Sequence, residues 1–234
     1  MRKQVCVVLV FLGTIGSASA ASFDCNKAGS HVEKMICADR ELSELDEHLG
    51  RYYEGARMTL QGSEACFKTN QMQWLKSVRN ACGENTCLRT AYLNRLGELD
   101  AVQPGVTAIK SMDLPRTLSL VWVIPPALDK VAAPPNPKAK PFEVSGTLVN
   151  EMAGNPNFEH GFVLRAKDGT TYPLVLLMFL DGRTTDHLSS WAKQNDTVFV
   201  ARGHAAQDEN GKTYFEPSRC VFIYRTPETR RRAP

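Results

Sequence analysis

Proline placement divides this chain before any other feature does. No proline occurs between residues 24 and 100, whereas eight of the 13 in the chain fall between residues 101 and 141. Proline lacks a backbone N–H and clashes with the preceding helical turn, so the first stretch is open to helix and the second is largely closed to it. Apolar spacing agrees. Leu42, Leu45, Leu49, Tyr52, Ala56 and Leu60 recur every three or four residues, one stripe on a helix of about five turns. Before it, Ser30-His31-Val32-Glu33 fits a capping box, and Asp39 is placed to cap the long helix. Gln61-Gly62-Ser63 ends that helix. A second carries Phe67, Trp74, Leu75 and Val78 and stops near Cys82-Gly83; a third, capped by Asn85 or Thr86, carries Leu88, Tyr92, Leu96 and Leu99. Short connections predict antiparallel neighbours in a small bundle over residues 21–100. A core of that size is marginal, so crosslinks would help it.

Residues 101–141 read as a proline-rich linker, semi-rigid and extended, interrupted by one strand-like run from Leu118 to Ile124, whose membership of the next domain is left open. From Phe142 the period shifts toward strands, at 142–149, 160–166, 171–177, 197–204 and 214–224, with a short helix at 185–194 anchored by Leu188 and Trp191. Strand, strand, strand, helix, strand, strand is the order of an OB-like β-barrel over residues 142–225; a generic small barrel or an α+β sandwich is the other reading. The expected class is therefore α+β in two domains, a disulfide-linked helical bundle followed by a small OB-like barrel. A basic tail, residues 226–234, closes the chain.

The first 20 residues have the form of a secretory signal peptide: Arg2 and Lys3, an apolar run from Val5 to Ile15, then Ala18-Ser19-Ala20 before the cut. The apolar run is short for a membrane span. Its removal takes Cys6 away and leaves six cysteines, Cys25, Cys37, Cys66, Cys82, Cys87 and Cys220. An even number in an oxidising compartment predicts disulfides. Lys+Arg falls from 28 to 26 while Asp+Glu stays at 25, so the processed charge is +1. That balance argues against a nucleic-acid partner. The expected location is periplasmic or secreted, with no membrane span after cleavage.

Chemistry is sparse. His31, His160, His187 and His204 are possible ligands or bases, but none sits in a ligand-spaced motif. Cys82 and Cys87 with Cys25 and Cys37 offer a zinc alternative, which the secretory context disfavours against disulfides. No nucleophile elbow, phosphate loop or dinucleotide fingerprint occurs. Glu41, Glu44, Asp46 and Glu47 read as the solvated face of a helix. The expectation is a protein that binds, with no cofactor, no metal and no catalytic residue.

The N-terminal half carries Phe23-Asp24-Cys25, Val32-Glu33-Lys34-Met35-Ile36-Cys37-Ala38-Asp39, Glu41-Leu42-Ser43-Glu44-Leu45-Asp46, Gln73-Trp74-Leu75-Lys76, Arg79-Asn80-Ala81-Cys82 and Cys87-Leu88-Arg89-Thr90-Ala91-Tyr92. In this order they resemble the LprI-type lysozyme-inhibitor domain, across residues 23–100. The family's four cysteines fall on Cys25, Cys37, Cys82 and Cys87; Cys66 and Cys220 lie outside the pattern. The resemblance implies an exported inhibitor of an envelope-attacking enzyme, its partner a secreted or periplasmic enzyme or toxin. Two other roles stay open: an immunity protein against a secreted antibacterial effector, such as a type VI lipase or peptidoglycan hydrolase, and a non-catalytic envelope ligand-binding module using the barrel and its apolar run at 174–180. Antiparallel helices would bring Cys82 to Cys37 and Cys25 to Cys87, leaving Cys66 and Cys220 to join the two domains or stay free.

Overall fold

The computed structural model describes residues 21–126, 136–152, 161–174 and 180–227. The expected signal peptide, His160, most of the apolar run at 174–180 and all but two residues of the basic tail lie outside the described residues.

The chain is α+β. Helix α1 spans His31–Ala38, and its capping box is complete: Ser30 Oγ accepts from Glu33 N at 3.1 Å while the Glu33 carboxylate accepts from Ser30 N at 2.9 Å. The Ser30 and Gly29 backbone N–H groups, both donating to that carboxylate, hold the Glu33 carboxyl below its ordinary range. Helix α2, Arg40–Thr59, starts on Asp39, whose side chain accepts from Leu42 N at 3.1 Å. It buries Leu42, Leu45, Leu49, Tyr52 and Ala56, the stripe its spacing demands. Helix α3 spans Glu64–Ser77 and α4 spans Asn85–Leu99. Neither Asn85 nor Thr86 caps α4: the cap position is Glu84, without a side-chain bond. Asn85 instead donates to Asp39 Oδ2 at 2.9 Å, pinning the start of α4 to the α1–α2 corner, and Thr86 donates to Glu84.

The cysteine pairing departs from the cross-helix expectation. Cys25 joins Cys37 and Cys82 joins Cys87, bridges spanning 12 and 5 residues. Cys25 lies in a single 3-10 turn, Cys25–Lys27, that folds back on α1. Cys82 and Cys87 bracket the turn into α4. Each pair is therefore local, held within reach by the turn it staples. The third bridge, Cys66 to Cys220, spans 154 residues and ties α3 to the sheet.

That sheet has seven strands: β1 Ser119–Ile124, β2 Lys140–Asn150, β3 Phe162–Arg165, β4 Thr171–Pro173, β5 Val198–Gln207, β6 Thr213–Phe215 and β7 Val221–Arg225. Their order is β1-β7-β5-β2-β3-β4, with β6 on β5, and every described pairing is antiparallel. The closed OB-like barrel is not found. Among the described residues the path is open, because both edges of β7 are occupied, one by β5 and one by the extra strand β1. The single strand expected at 214–224 is two, since Pro217 has no N–H to donate and breaks the ladder between β6 and β7. Gly146 lets β2 bend over β3: a Cβ there would stand 2.3 Å from the Arg165 carbonyl oxygen. Helix α5, Gly182–Trp191, begins three residues earlier than its apolar anchors suggest, on the cap Asp181.

Helices and sheet share one apolar core, running from Ile36, Leu42 and Phe67 to Leu120, Trp122 and Ile223. Polar contacts cross the same boundary. Ser63 Oγ donates to the Val123 carbonyl at 2.7 Å, Arg183 donates to the Thr59 carbonyl at 2.9 Å, and Trp122 Nε1 donates to Thr184 on α5 at 2.9 Å. The loop-closure entropy a crosslink removes grows with the loop. Replacing Cys66 and Cys220 with serine should therefore lower the unfolding free energy by about 5 kcal/mol, against about 2 kcal/mol for the Cys82 and Cys87 pair. Chemical denaturation of the two double variants measures the ordering; equal losses would contradict it.

Candidate functional site

Most residues of the N-terminal motif are structural. Asp46, expected on the wet face with Glu41, Glu44 and Glu47, is only 4% exposed. Its carboxylate accepts from Tyr92 Oη at 2.6 Å and from the backbone and hydroxyl of Ser22, with Arg79 at 3.8 Å. A buried charge needs such partners, and α2 turns Asp46 inward to meet them. Burial and that carboxylate push the Tyr92 phenol far above its ordinary range. The other three acids are paired at the surface: Glu41 with Arg89, Glu44 with Arg40, Glu47 with Arg51. Trp74 stacks edge-on against Tyr92, and the buried Arg95 guanidinium lies 5.9 Å from its ring centroid. Arg95 also donates to Asn70, Gln71 and Glu98.

Among the described residues the candidate histidines do not form a cluster with other ligating side chains. His31 opens α1, and His187 is sandwiched between Trp122 and Trp191 at 4.0 and 5.4 Å. His204 pairs with Pro141 on β2. Among the described residues no three His, Cys, Asp or Glu side chains form a metal-holding group, and all six cysteines are in disulfides.

One surface feature is built rather than incidental: the turn over residues 103–111, where the chain leaves the helices. Gln103 Nε2 donates to the carbonyls of Tyr52 and Leu99 at 2.9 and 3.1 Å. Thr107 N and Ala108 N both donate to the Pro104 carbonyl, and the Thr107 hydroxyl lies 2.8 Å from the same oxygen. From beneath, the buried Tyr52 phenol donates to Asp100 and accepts from Ile109 N, both at 2.8 Å. Burial and the Asp100 carboxylate raise that phenol to about 12. Gly55 on α2 gives the turn its room: a Cβ there would stand 2.6 Å from Gln103 Oε1. At the tip Val106 is 96% exposed, an apolar side chain held out on a turn whose flanks are hydrogen-bonded through Gln103, Thr107, Ala108 and Ile109.

Beside the tip lies a cleft of about 690 Å³ between the turn and α2. It is lined by His48, Arg51 and Tyr52 on α2 and by residues 105–111, a set with two full cations, Arg51 and Lys110, and no carboxylate. Arg51 sits 2.9 Å from His48 Nδ1; a guanidinium only donates, so this nitrogen accepts and the imidazole is neutral. Burial, then Arg51, holds His48 below the usual imidazole range. Reading residues 101–141 as an extended linker passed over this turn. Its signals were present: Gln103 after the last helical residues, then the turn pair Pro104-Gly105.

Over 95 residues, 39% of the chain, the sequence is 30% identical to Lipoprotein LprI of Mycobacterium tuberculosis and to Lipoprotein LprI of Mycobacterium bovis. The match takes in 47% of each relative, so the chain spans about half the length of the curated proteins it matches. No family model matches, and no solved structure matches.

Two of these groups can be tested directly. Tyr52→Phe removes the bridge between Asp100 and Ile109 and should cost about 1–3 kcal/mol of stability, with faster hydrogen exchange at the Ile109 amide. Unchanged exchange would show that the turn stands without it. Burial lowers the affinity of His48, His187 and His204 for protons, reinforced by Arg51, Arg183 and Arg219 respectively. The unfolded chain then binds protons that the folded chain refuses. Their stabilising contribution is complete above the unfolded value of about 6.5 and falls as pH drops toward the folded values. Thermal midpoints should decline between about pH 7.5 and pH 5, and His187→Gln should flatten the slope; an unchanged slope counts against His187 as a contributor.

Proposed function

We propose that this protein is an exported, lysozyme-inhibitor-like protein that acts by binding an enzyme attacking the cell envelope. The observation that carries the reading is the LprI-like region, in which the four motif cysteines form two staples and the motif acids and aromatics support the helices. Three disulfides suit an oxidising compartment, and among the described residues no helix is long and apolar enough to cross a membrane.

The physical character of the molecule supports binding over catalysis. An inhibitor needs a surface whose shape survives contact with its target, because ordering a loose segment on association consumes affinity. Crosslinks at α1, at the turn into α4 and between α3 and the sheet, with a core shared by helices and sheet, provide such a frame. The processed charge near zero leaves recognition to local arrangement rather than to a global field.

The test is a lysis assay. Purified exported protein, added in molar excess to a lysozyme digesting peptidoglycan, should slow clearing in proportion to its concentration. Full lysis at every ratio, with no complex on a sizing column, would overturn the reading.

A further inference from the structure

We infer that the turn over residues 103–111 is the inhibitory element, and that its occupant is the carboxylate-lined catalytic cleft of a glycan-cleaving hydrolase. This rests on the inhibitor reading above and assigns it a surface.

Three observations converge there. Val106 is presented almost completely free of the protein, while Gln103, Thr107, Ala108 and Ile109 around it are tied by hydrogen bonds. An apolar tip on a braced turn loses water on insertion and has little freedom left to surrender, the combination that makes a loop a good ligand. The brace is internal: Tyr52 and Gln103 fix the turn to α2 through Asp100, Ile109 N and two helix carbonyls. Such a turn needs no partner to take its shape.

Charge selects the kind of cleft. Enzymes that cleave glycosidic bonds flank the scissile bond with a pair of carboxylic side chains. The cleft beside the tip presents Arg51 and Lys110 and no acid of its own. Arg51 is shared with the exposed Glu47 at 3.4 Å, whereas among the described residues Lys110 makes no ion pair. Inserted tip-first, Val106 fills an apolar sugar subsite and Lys110 approaches the carboxylates, an attraction strengthened where water is excluded.

Binding of the exported protein to a c-type lysozyme by calorimetry, with and without the N-acetylglucosamine trimer that fills the enzyme's cleft, tests the assignment. Val106→Asp and Lys110→Glu should each weaken binding about 30-fold or more. Met72→Asp, at an exposed apolar side chain on α3 away from the turn, should bind like the parent. The trimer should compete. Circular dichroism and thermal melting check that the variants fold, and the trimer competition tests the parent protein alone. If the parent inhibits lysozyme but the two turn variants bind equally well, or the trimer does not compete, the inhibitor reading stands and this surface is wrong. If the parent itself does not bind, both fall.

Discussion

Strand β1 is the constraint on which the rest of this molecule depends. It pairs with β7 through one edge, so it belongs to the sheet. Leu120, Trp122, Val123 and Ile124 are buried, so it also belongs to the core shared with the helices. A strand at the end of a sheet exposes backbone groups that invite a foreign chain. Here Ser63, at the start of α3, donates its hydroxyl to the Val123 carbonyl, and Trp122 is held by Thr184 from α5. The nearby bridge from Cys66 to Cys220 adds a covalent tie between α3 and the turn before β7. Besides β1, the N-terminal helices meet the rest of the molecule through that bridge and through contacts such as Arg183 of α5 on the Thr59 carbonyl.

Legibility from the sequence follows the range of the interaction. Caps and stripes are local, so Ser30, Asp39 and the leucines of α2 read correctly from spacing. Bonds between segments do not. Asn85 has the side chain of a cap, yet it reaches Asp39, 46 residues away, because the α1–α2 corner is close. Asp46 resembles its acidic neighbours in sequence, and only the arrival of Tyr92 and Ser22 makes its burial tolerable. Closure of a barrel is more distant still. The strand order suggested it, but β1, the strand-like run ahead of the five strands assigned to the barrel, took the edge of β7. For the cysteines, long-range pairing was assumed where local staples formed, since two of the pairs sit across turns short enough to close on their own.

The candidate surface was hard to see for a related reason. Proline content rightly marks residues 101–141 as poor in helix, but it does not distinguish an extended connection from a turn packed on its neighbour. What makes 103–111 a built feature comes from α2: a tyrosine hydroxyl, a carbonyl and the missing side chain of Gly55. Each is ordinary in its own helix. Their meaning appears only when the chain returns across them after α4.

The placement of Tyr52 then links stability to recognition. Its ring is part of the apolar stripe that holds α2 in the core, while its hydroxyl supports the turn that carries Val106. Replacing the whole ring would disturb both, so a loss of binding in such a variant would carry no information about contact. Removing the hydroxyl alone leaves the ring packed and releases the turn. Any difference in binding that results measures the value of preorganisation, because Tyr52 is fully buried under the turn. A rigid turn and an exposed tip are therefore separable properties here: one resides in α2, the other in Val106.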